Sequence, residues 1–237
     1  MKIKIISNPA KDWTSKIAQD VRSFLTDNDH SIVDTEADAT ICIGGDGTIL
    51  YANYQKKVEG PILGIGTKKS YVCQLERKSW KENILQTLSG NTVSIMSIKA
   101  SIDGRQFTAL NDFVIHAKNY RVIEIAVADS DQISLFRGDG LIVSSALGSS
   151  AYAYSAGGTQ LSPDEQKIVV VPIAPYKRAF APEVLPSTIK LSIYSKQECA
   201  FISDGVLVSD LPSGTKVNIE KGDDILFFAG VGHYKQR

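Results

Sequence analysis

Thr40-Ile41-Cys42-Ile43-Gly44-Gly45-Asp46-Gly47-Thr48-Ile49-Leu50 is the stretch on which the reading of this chain turns. An apolar strand pattern runs into two glycines, an acid, a third glycine and a threonine, and then into a helical pattern. Glycine admits positive φ and lets peptide N–H groups approach a ligand closely, while a helix starting here points its free N–H groups outward. Such a turn holds phosphates through the backbone, without a lysine. It is neither the GxxxxGK[ST] loop nor the GxGxxG fingerprint. The plainer alternative is a strand-to-helix turn in which Asp46 or Thr48 merely caps the helix. An acid in an anion site repels phosphate unless a metal or a proton intervenes. Asp46 is therefore a candidate for holding Mg²⁺ or for accepting a proton from an attacking hydroxyl, the two tasks of carboxylates in phosphoryl transfer.

Outward from this loop, Lys2 to Ser7, Ala39 to Ile43 and Pro61 to Ile65 read as strands bounded by turn residues. Trp13, Ile17, Val21 and Phe24-Leu25 recur at helical spacing through Thr26, a second helix is expected after Thr48, and Ser79-x-x-Glu82 is a capping-box pattern for a third. This alternation predicts a parallel sheet with crossover helices over residues 1–90. Beyond Asn91 the pattern changes to short alternating runs: Val93 to Ile98, Phe107 to His116, Val122 to Ala128, Ile133 to Phe136, Ile168 to Val171, Ile189 to Tyr194, Ala200 to Ser203, Lys216 to Ile219 and Ile225 to Ala229. These predict an all-β, sandwich-like lobe over residues 91–237, whose last strands are free to return to the first lobe. Gly138-Asp139-Gly140 and Asp204-Gly205 are candidate hairpin turns, and the Gly-, Ser- and Ala-rich segment Gly148 to Gly158 is a poor strand suited to a short helix. Two lobes with a cleft between them are expected.

Composition narrows the function classes. The 237 residues are 43% apolar and 22% charged, ordinary for a folded soluble chain. Lys plus Arg number 26 against 26 Asp plus Glu, so no net field draws the protein to nucleic acid or to an acidic membrane. An anionic ligand must be held by local geometry. Cys42, Cys73 and Cys199 are odd in number and lack a CxxC pair, which suggests neither a disulfide framework nor a zinc site and fits a reducing cytoplasm. His30, His116 and His233 lack ligand spacing and read as structural. The first residues read as a strand and not as a signal sequence, and no apolar run approaches the ~20 residues that span a bilayer.

Gly44 to Thr48 resembles the G-G-D-G-T signature shared by NAD kinases, diacylglycerol and sphingoid lipid kinases and, as G-G-D-G-S, phosphofructokinases. The second half selects among these. Leu110 to His116 resembles the N-E-V-V-I-H segment of NAD kinases, and Phe136 to Ser144 resembles their R-G-D-G-L-I-I-S strand. Ser145 to Tyr152 followed by Ser155 to Gly158 is similar to T-P-T-G-S-T-A-Y followed by S-x-G-G, and the likeness extends to Ser203-Asp204-Gly205. The order is that of NAD kinases.

The resemblance implies a two-lobed NAD kinase-like fold and transfer of the ATP γ-phosphoryl, with Mg²⁺ or another divalent metal, to the 2′-hydroxyl of the adenosine ribose of NAD. It implies that Asp46 is catalytic and that Gly44, Gly45, Gly47 and Thr48 hold the ATP phosphates. It places NAD against Asp46, Gly47, Asn111, Asp112, Arg137, Asp139, Ser150, Ala151, Tyr152 and Ser155, in a homodimer or homotetramer whose NAD site a neighbouring subunit completes. Singly, Asn111-Asp112 also reads as a strand-entry turn, Ser149-Ser150 as a helix cap and Arg137 as an exposed charge.

Several positions depart from the family pattern. Its Glu is Asp112, one methylene shorter, and its T-P-T is Ser145-Ala146-Leu147. Its G-I-N-x-G-x-L-G-F loop becomes Gly64-Ile65-Gly66-Thr67-Lys68-Lys69-Ser70-Tyr71, and Val206 stands where a Gln is frequent. A lipid kinase and a non-catalytic nucleotide-binding regulator are the alternatives. The zero net charge and the lack of a basic amphipathic helix speak against the first, and retention of Asp46 against the second.

Overall fold

The computed structural model describes residues 1–119, 121–129 and 132–230. His233 lies outside the described residues. The chain divides into two compact units, one formed by Met1–Ile95 with the chain from Ile225 onward and the other by Met96–Asp224.

The first unit opens with β1 (Lys2–Ser7), α1 (Asp12–Thr26), β2 (Ser31–Ile32), β3 (Ala39–Ile43), α2 (Asp46–Tyr54), β4 (Ile62–Gly66), β5 (Leu75–Glu76) and α3 (Trp80–Leu88). The pairs β2·β1, β1·β3, β3·β4 and β4·β5 are all parallel, as alternation of strand and helix requires. β3 and β4 are buried at every residue, which is why they read as continuous apolar runs and not as alternating ones. In α1, Val21 and Leu25 are fully buried and Trp13, Ile17 and Phe24 pack against the same cluster, which also holds Ile3, Ile41, Ile43, Leu63, Ile65, Trp80 and Ile84. Removing one such side chain from water stabilises the fold by about 1.5–3 kcal/mol. Phe24 meets Trp80 edge-on with ring centres 5.7 Å apart, tying α1 to α3. Ser79 precedes α3 but makes no side-chain hydrogen bond to it, so the capping box read from Ser79 and Glu82 does not form. The second helix begins at Asp46, three residues before the expected start after Thr48, and so takes the acid into its first turn.

The second unit contains most of β6 (Thr92–Ile102), then β7 (Arg105–Ala109), β8 (Asp112–Ala117), β9 (Ile123–Ala128), β10 (Ile133–Gly138), β11 (Gly140–Ser145), short 3₁₀ turns at Gly148–Ser150 and Tyr176–Arg178, and α4 (Tyr152–Ser155). It continues with β12 (Lys167–Ile173), β13 (Glu183–Pro186), β14 (Leu191–Ser195), β15 (Cys199–Ser203), β16 (Val206–Leu211) and β17 (Lys216–Phe228). One sheet has the order β13-β12-β11-β8-β15-β16, all antiparallel. The other includes β10-β9-β14-β17 and the β6-β7 hairpin. A single apolar core joins them: Ile98, Ile125, Ile193 and Val217 come from one sheet, Phe113, Val143, Val170 and Phe201 from the other. This is the sandwich that the alternating pattern predicts. The outer face of the six-stranded sheet is covered in turn, with Ala153 of α4 packed on Val114, Ile142, Val169 and Val171.

Three expectations change. The run Phe107 to His116 is not one strand, because it breaks at Leu110-Asn111 and its halves, β7 and β8, join different sheets. The runs at 216–219 and 225–229 are one strand, β17, because Gly222 packs closely on Ser97, whose hydroxyl donates to the Asp223 carbonyl at 2.6 Å. Gly138-Asp139-Gly140 is no hairpin either: β10 and β11 lie in different sheets, and Asp139 instead bonds Ala117 and Ile173 through its backbone. Asp204-Gly205 does form the β15–β16 hairpin turn, with φ of 48° and 79°.

Candidate active site

In the first unit, β3 ends at Ile43 and the chain turns through Gly44 and Gly45, with φ of 150° and 97°, into α2. A side chain at Gly44 would sit 2.2 Å from Thr48 Oγ1, so only glycine fits this turn. The amides of Gly45, Asp46 and Gly47 meet no acceptor among the described residues. They are the unsatisfied donors of a helix N-terminus, which favour an anion. Thr48 is buried, and its Oγ1 has no hydrogen-bond partner either. Gly47 is exposed, with nothing within 4 Å of where a Cβ would stand, which leaves one side of the loop open.

Asp46 is half-buried at the start of α2. Its carboxylate accepts hydrogen bonds from the amides of Tyr71 and Val72 at 2.7 and 2.9 Å, one on each oxygen. These bonds fix the orientation of the carboxylate, which the Cys73 thiol also meets with a hydrogen bond. Ser70 closes over Gly45, and the Cys73 thiol lies beside Asp46. Burial and the Asp46 charge push that thiol upward, which keeps it protonated and unreactive.

The reading of a lysine-free loop is incomplete. Lys11 donates from Nζ to the Gly44 carbonyl and lies 3.6 Å from where a Gly45 side chain would begin. The sequence did carry a signal: a lysine stands at the N-cap of α1, where Ser, Thr, Asp or Asn is favoured.

In the second unit, Asn111 lies in the break between β7 and β8, and Asp112 is the first residue of β8. Asp204, from the β15–β16 turn, accepts hydrogen bonds from three successive amides, Leu110 at 2.9 Å, Asn111 at 2.7 Å and Asp112 at 3.2 Å. Its own amide donates to the Asp112 carbonyl at 3.0 Å. The Ser145 amide and Ser144 hydroxyl both donate to the Asn111 carbonyl, at 2.8 and 3.0 Å. Gly148 abuts the Asn111 backbone so closely that a Cβ would lie 2.2 Å from its carbonyl oxygen. Asn111 Oδ1 is buried without a partner among the described residues.

Asp112 is 5% exposed, and its carboxylate makes no hydrogen bond among the described residues. Burial, reinforced by the Asp204 charge, pushes it up to about 7. Asp204 is pushed up to about 6 by burial, against the pull of its three amide donors. Two acids thus share one interior site, and Asp204 is the one better equipped to carry charge.

The structure brings Ser150, Ala151, Tyr152 and Ser155 together around α4, with Ser150 and Ser155 donating to the carbonyls of Leu147 and Ala151. Tyr152 is 42% exposed. Arg137 and Asp139 belong elsewhere: β11 pairs Gly140 with His116 and Ser144 with Asp112, so they flank its opposite end. Four residues at a strand rise of ~3.3 Å put the two ends ~13 Å apart. Arg137 is exposed, its guanidinium 5.7 Å from the Tyr176 ring centre. Among the described residues, no three His, Cys, Asp or Glu side chains gather as a metal cage, and all three cysteines are free. Among the described residues, no helix is long and apolar enough to cross a membrane.

Comparison with known proteins agrees with these motifs. The model of the ATP-NAD kinase C-terminal domain matches residues 110–229. The NAD kinase of Thermoplasma acidophilum is 31% identical over 229 residues, covering 93% of this chain and 84% of that protein. The NAD kinase of Thermococcus sibiricus is 30% identical over 258 residues, covering 93% and 91%. Among solved structures, the Archaeoglobus fulgidus NAD kinase in complex with ATP shares the fold with a TM-score of 0.84 at 21% identity, covering 97% of this chain and 94% of that one. Yeast NADH kinase complexed with NADH superposes with a TM-score of 0.86 at 19% identity, covering 98% and 84%. With half of its length matched by the domain model and nearly all of it by these relatives, the chain belongs to the NAD kinase family.

Proposed function

We propose that this enzyme transfers the γ-phosphoryl group of ATP to the 2′-hydroxyl of the adenosine ribose of NAD, giving NADP and ADP. The observation that carries this reading is the position of Asp46, its carboxylate oriented by the Tyr71 and Val72 amides beside three unpaired N–H groups. The Gly44 to Thr48 loop binds the donor phosphates through those amides and through the orphan Thr48 hydroxyl. Asp46 takes the proton as the ribose oxygen forms its bond to the γ-phosphorus. The bond from that phosphorus to the β–γ bridging oxygen breaks, and the electron pair leaves with ADP.

Asn111 and Asp112 receive the adenosine end of NAD, Asn111 Oδ1 as acceptor and the Asp112 carboxyl, raised to about 7 by burial, as the hydrogen-bonding partner of a hydroxyl. The small residues Ser150, Ala151 and Ser155, with Tyr152, flank the base. Arg137 and Asp139, a strand length away, suit the other end of an elongated dinucleotide. A divalent cation such as Mg²⁺ fits a site with a single carboxylate at the phosphate loop. Asp46 would hold it there, and when bound it would supply charge neutralisation for the phosphates. Three free cysteines suit a reducing cytoplasm, and the family likeness implies a homodimer or homotetramer.

The test is direct. Purified protein with ATP and Mg²⁺ is offered NAD, NADH or diacylglycerol in parallel, and formation of the phosphorylated product is followed. NAD turnover without diacylglycerol turnover is expected. The reverse pattern would assign a lipid kinase, and turnover of none of the three a nucleotide-binding regulator.

A further inference from the structure

Lys11 is placed with more care than a surface lysine requires. Asn8, just past β1, donates its amide to Ile43 at 3.0 Å, which anchors the β1 exit beside the glycine turn. The chain then turns back, the Lys11 amide donating to the Asn8 carbonyl at 3.2 Å. Fully buried Thr14 closes the turn, its hydroxyl 2.6 Å from the Asn8 carbonyl and 2.8 Å from that of Lys11. From this clamped backbone the side chain reaches across to the Gly44 carbonyl.

Local preference argues against a lysine here. Lys11 is the N-cap residue of α1 and supplies no side-chain cap, and its positive charge stands near the positive end of the helix dipole. A residue that opposes its local environment marks a position kept for another task. Nor does a carboxylate explain it, since Lys11 forms no ion pair among the described residues. Its Nζ has three N–H donors, of which the Gly44 carbonyl uses one. The loop it touches at Gly44 and Gly45 carries the amides of Gly45, Asp46 and Gly47, unpaired among the described residues, and, independently, the buried unpartnered hydroxyl of Thr48.

We propose that Lys11 is a phosphate-binding residue of the glycine loop, its ammonium group bridging the Gly44 carbonyl and the polyphosphate of the donor nucleotide. This rests on the reading of Gly44 to Thr48 as the phosphate loop. The backbone amides then provide direction and Lys11 the charge, which a chain of zero net charge does not supply from its overall field. The bland competitor is a staple, in which Lys11 only ties the α1 entry to the β3 exit through Gly44.

Three variants of the full chain separate the two: Lys11→Met, Lys11→Gln and Lys11→Arg. Gln keeps an N–H donor for the Gly44 carbonyl but no charge, so it retains a staple and loses an anion ligand. Calorimetric binding of inorganic tripolyphosphate, the KM values for ATP and NAD, and the melting temperature are measured for each. The expected result is a rise of about ten- to a hundredfold in the tripolyphosphate Kd and the ATP KM for Met and Gln, the scale of one charge-assisted hydrogen bond. The NAD KM should stay within about twofold, the Gln variant should melt like the parent, and Arg should recover most of the affinity. Unchanged tripolyphosphate binding by the Gln variant would overturn the proposal, as would equal rises in the ATP and NAD KM values. Should the parent bind tripolyphosphate yet fail to phosphorylate NAD, the proposed reaction fails while the comparison of variants still decides Lys11.

Discussion

The carboxylate of Asp204 accepts a 2.7 Å hydrogen bond from the amide of Asn111, across 93 positions of chain. The turn that presents Asn111 and Asp112 is therefore shaped from outside. With Leu110 and Asp112 donating as well, one buried acid on the β15–β16 hairpin fixes three consecutive peptide planes. Among the described residues, Asn111 Oδ1 is buried without a partner and the Asp112 carboxylate accepts no hydrogen bond, in a frame fixed by Asp204.

Replacing Asp204 tests this frame. Asp204→Asn leaves one oxygen for three amides and turns an NH₂ group toward N–H donors. A loss of about 1–3 kcal/mol is expected from unmet buried donors. Steady-state kinetics should show the KM for NAD rising about tenfold with little change in that for ATP. A fall in stability with both KM values unchanged would make Asp204 a fold residue alone.

The Asp112 and Asp204 pair makes stability depend on pH. Both acids are raised above the ordinary 3.8 in the folded state, Asp112 to about 7 and Asp204 to about 6. Between about pH 4 and 7 the folded chain thus holds more protons at these sites than the unfolded chain. Their contribution is full below pH 4 and is lost as pH rises through the folded values. Asp112→Asn should flatten the fall in melting temperature between pH 4 and 7 that is due to this site and should raise stability at pH 8. A melting profile with the parent's slope in this variant would show that Asp112 ionises freely.

Asp46→Asn keeps the size of the side chain but turns its NH₂ toward the Tyr71 or Val72 amide, so the melting temperature is measured beside turnover. The substitution removes the charge and the proton acceptor. Turnover should drop about 10²–10⁴-fold, with NAD still raising the melting temperature of the variant. Near-parental turnover would remove Asp46 from the chemistry.

Two glycines should part company under the same substitution. At Gly47 an added methyl meets nothing within 4 Å, so Gly47→Ala should fold at least as well as the parent, by up to about 1 kcal/mol from helix propensity, yet weaken ATP. At Gly148 the methyl would fall 2.2 Å from the Asn111 carbonyl oxygen and 2.5 Å from its Cα. Backbone cannot yield cheaply there, so Gly148→Ala should lose about 1–3 kcal/mol and raise the KM for NAD. Melting curves and KM values for both variants check this, and an ATP KM unaffected by Gly47→Ala would speak against the loop's phosphate role.

What the sequence alone determined is what short-range physics controls. The buried β3 strand, the positive-φ glycines after it and the helical spacing of Ile17, Val21 and Leu25 each report on neighbours a few residues away, and each appears where expected. The ordered motifs from Asn111 to Ser155 likewise carry the family likeness in the sequence itself. Tertiary structure decided the rest, because long-range partners override local pattern. Phe107 to His116 alternates like one strand, yet Asp204 holds its middle open. Residues 220–224 look like a turn, yet Ser97 draws them into β17. Lys11 reads as a poor helix cap until folding sets it on the Gly44 carbonyl, 33 positions along the chain. Nor does spacing along the chain reveal that Asp112 and Asp204 share one dry site, since their raised proton affinities come from burial and mutual charge that exist only once the sheets have closed.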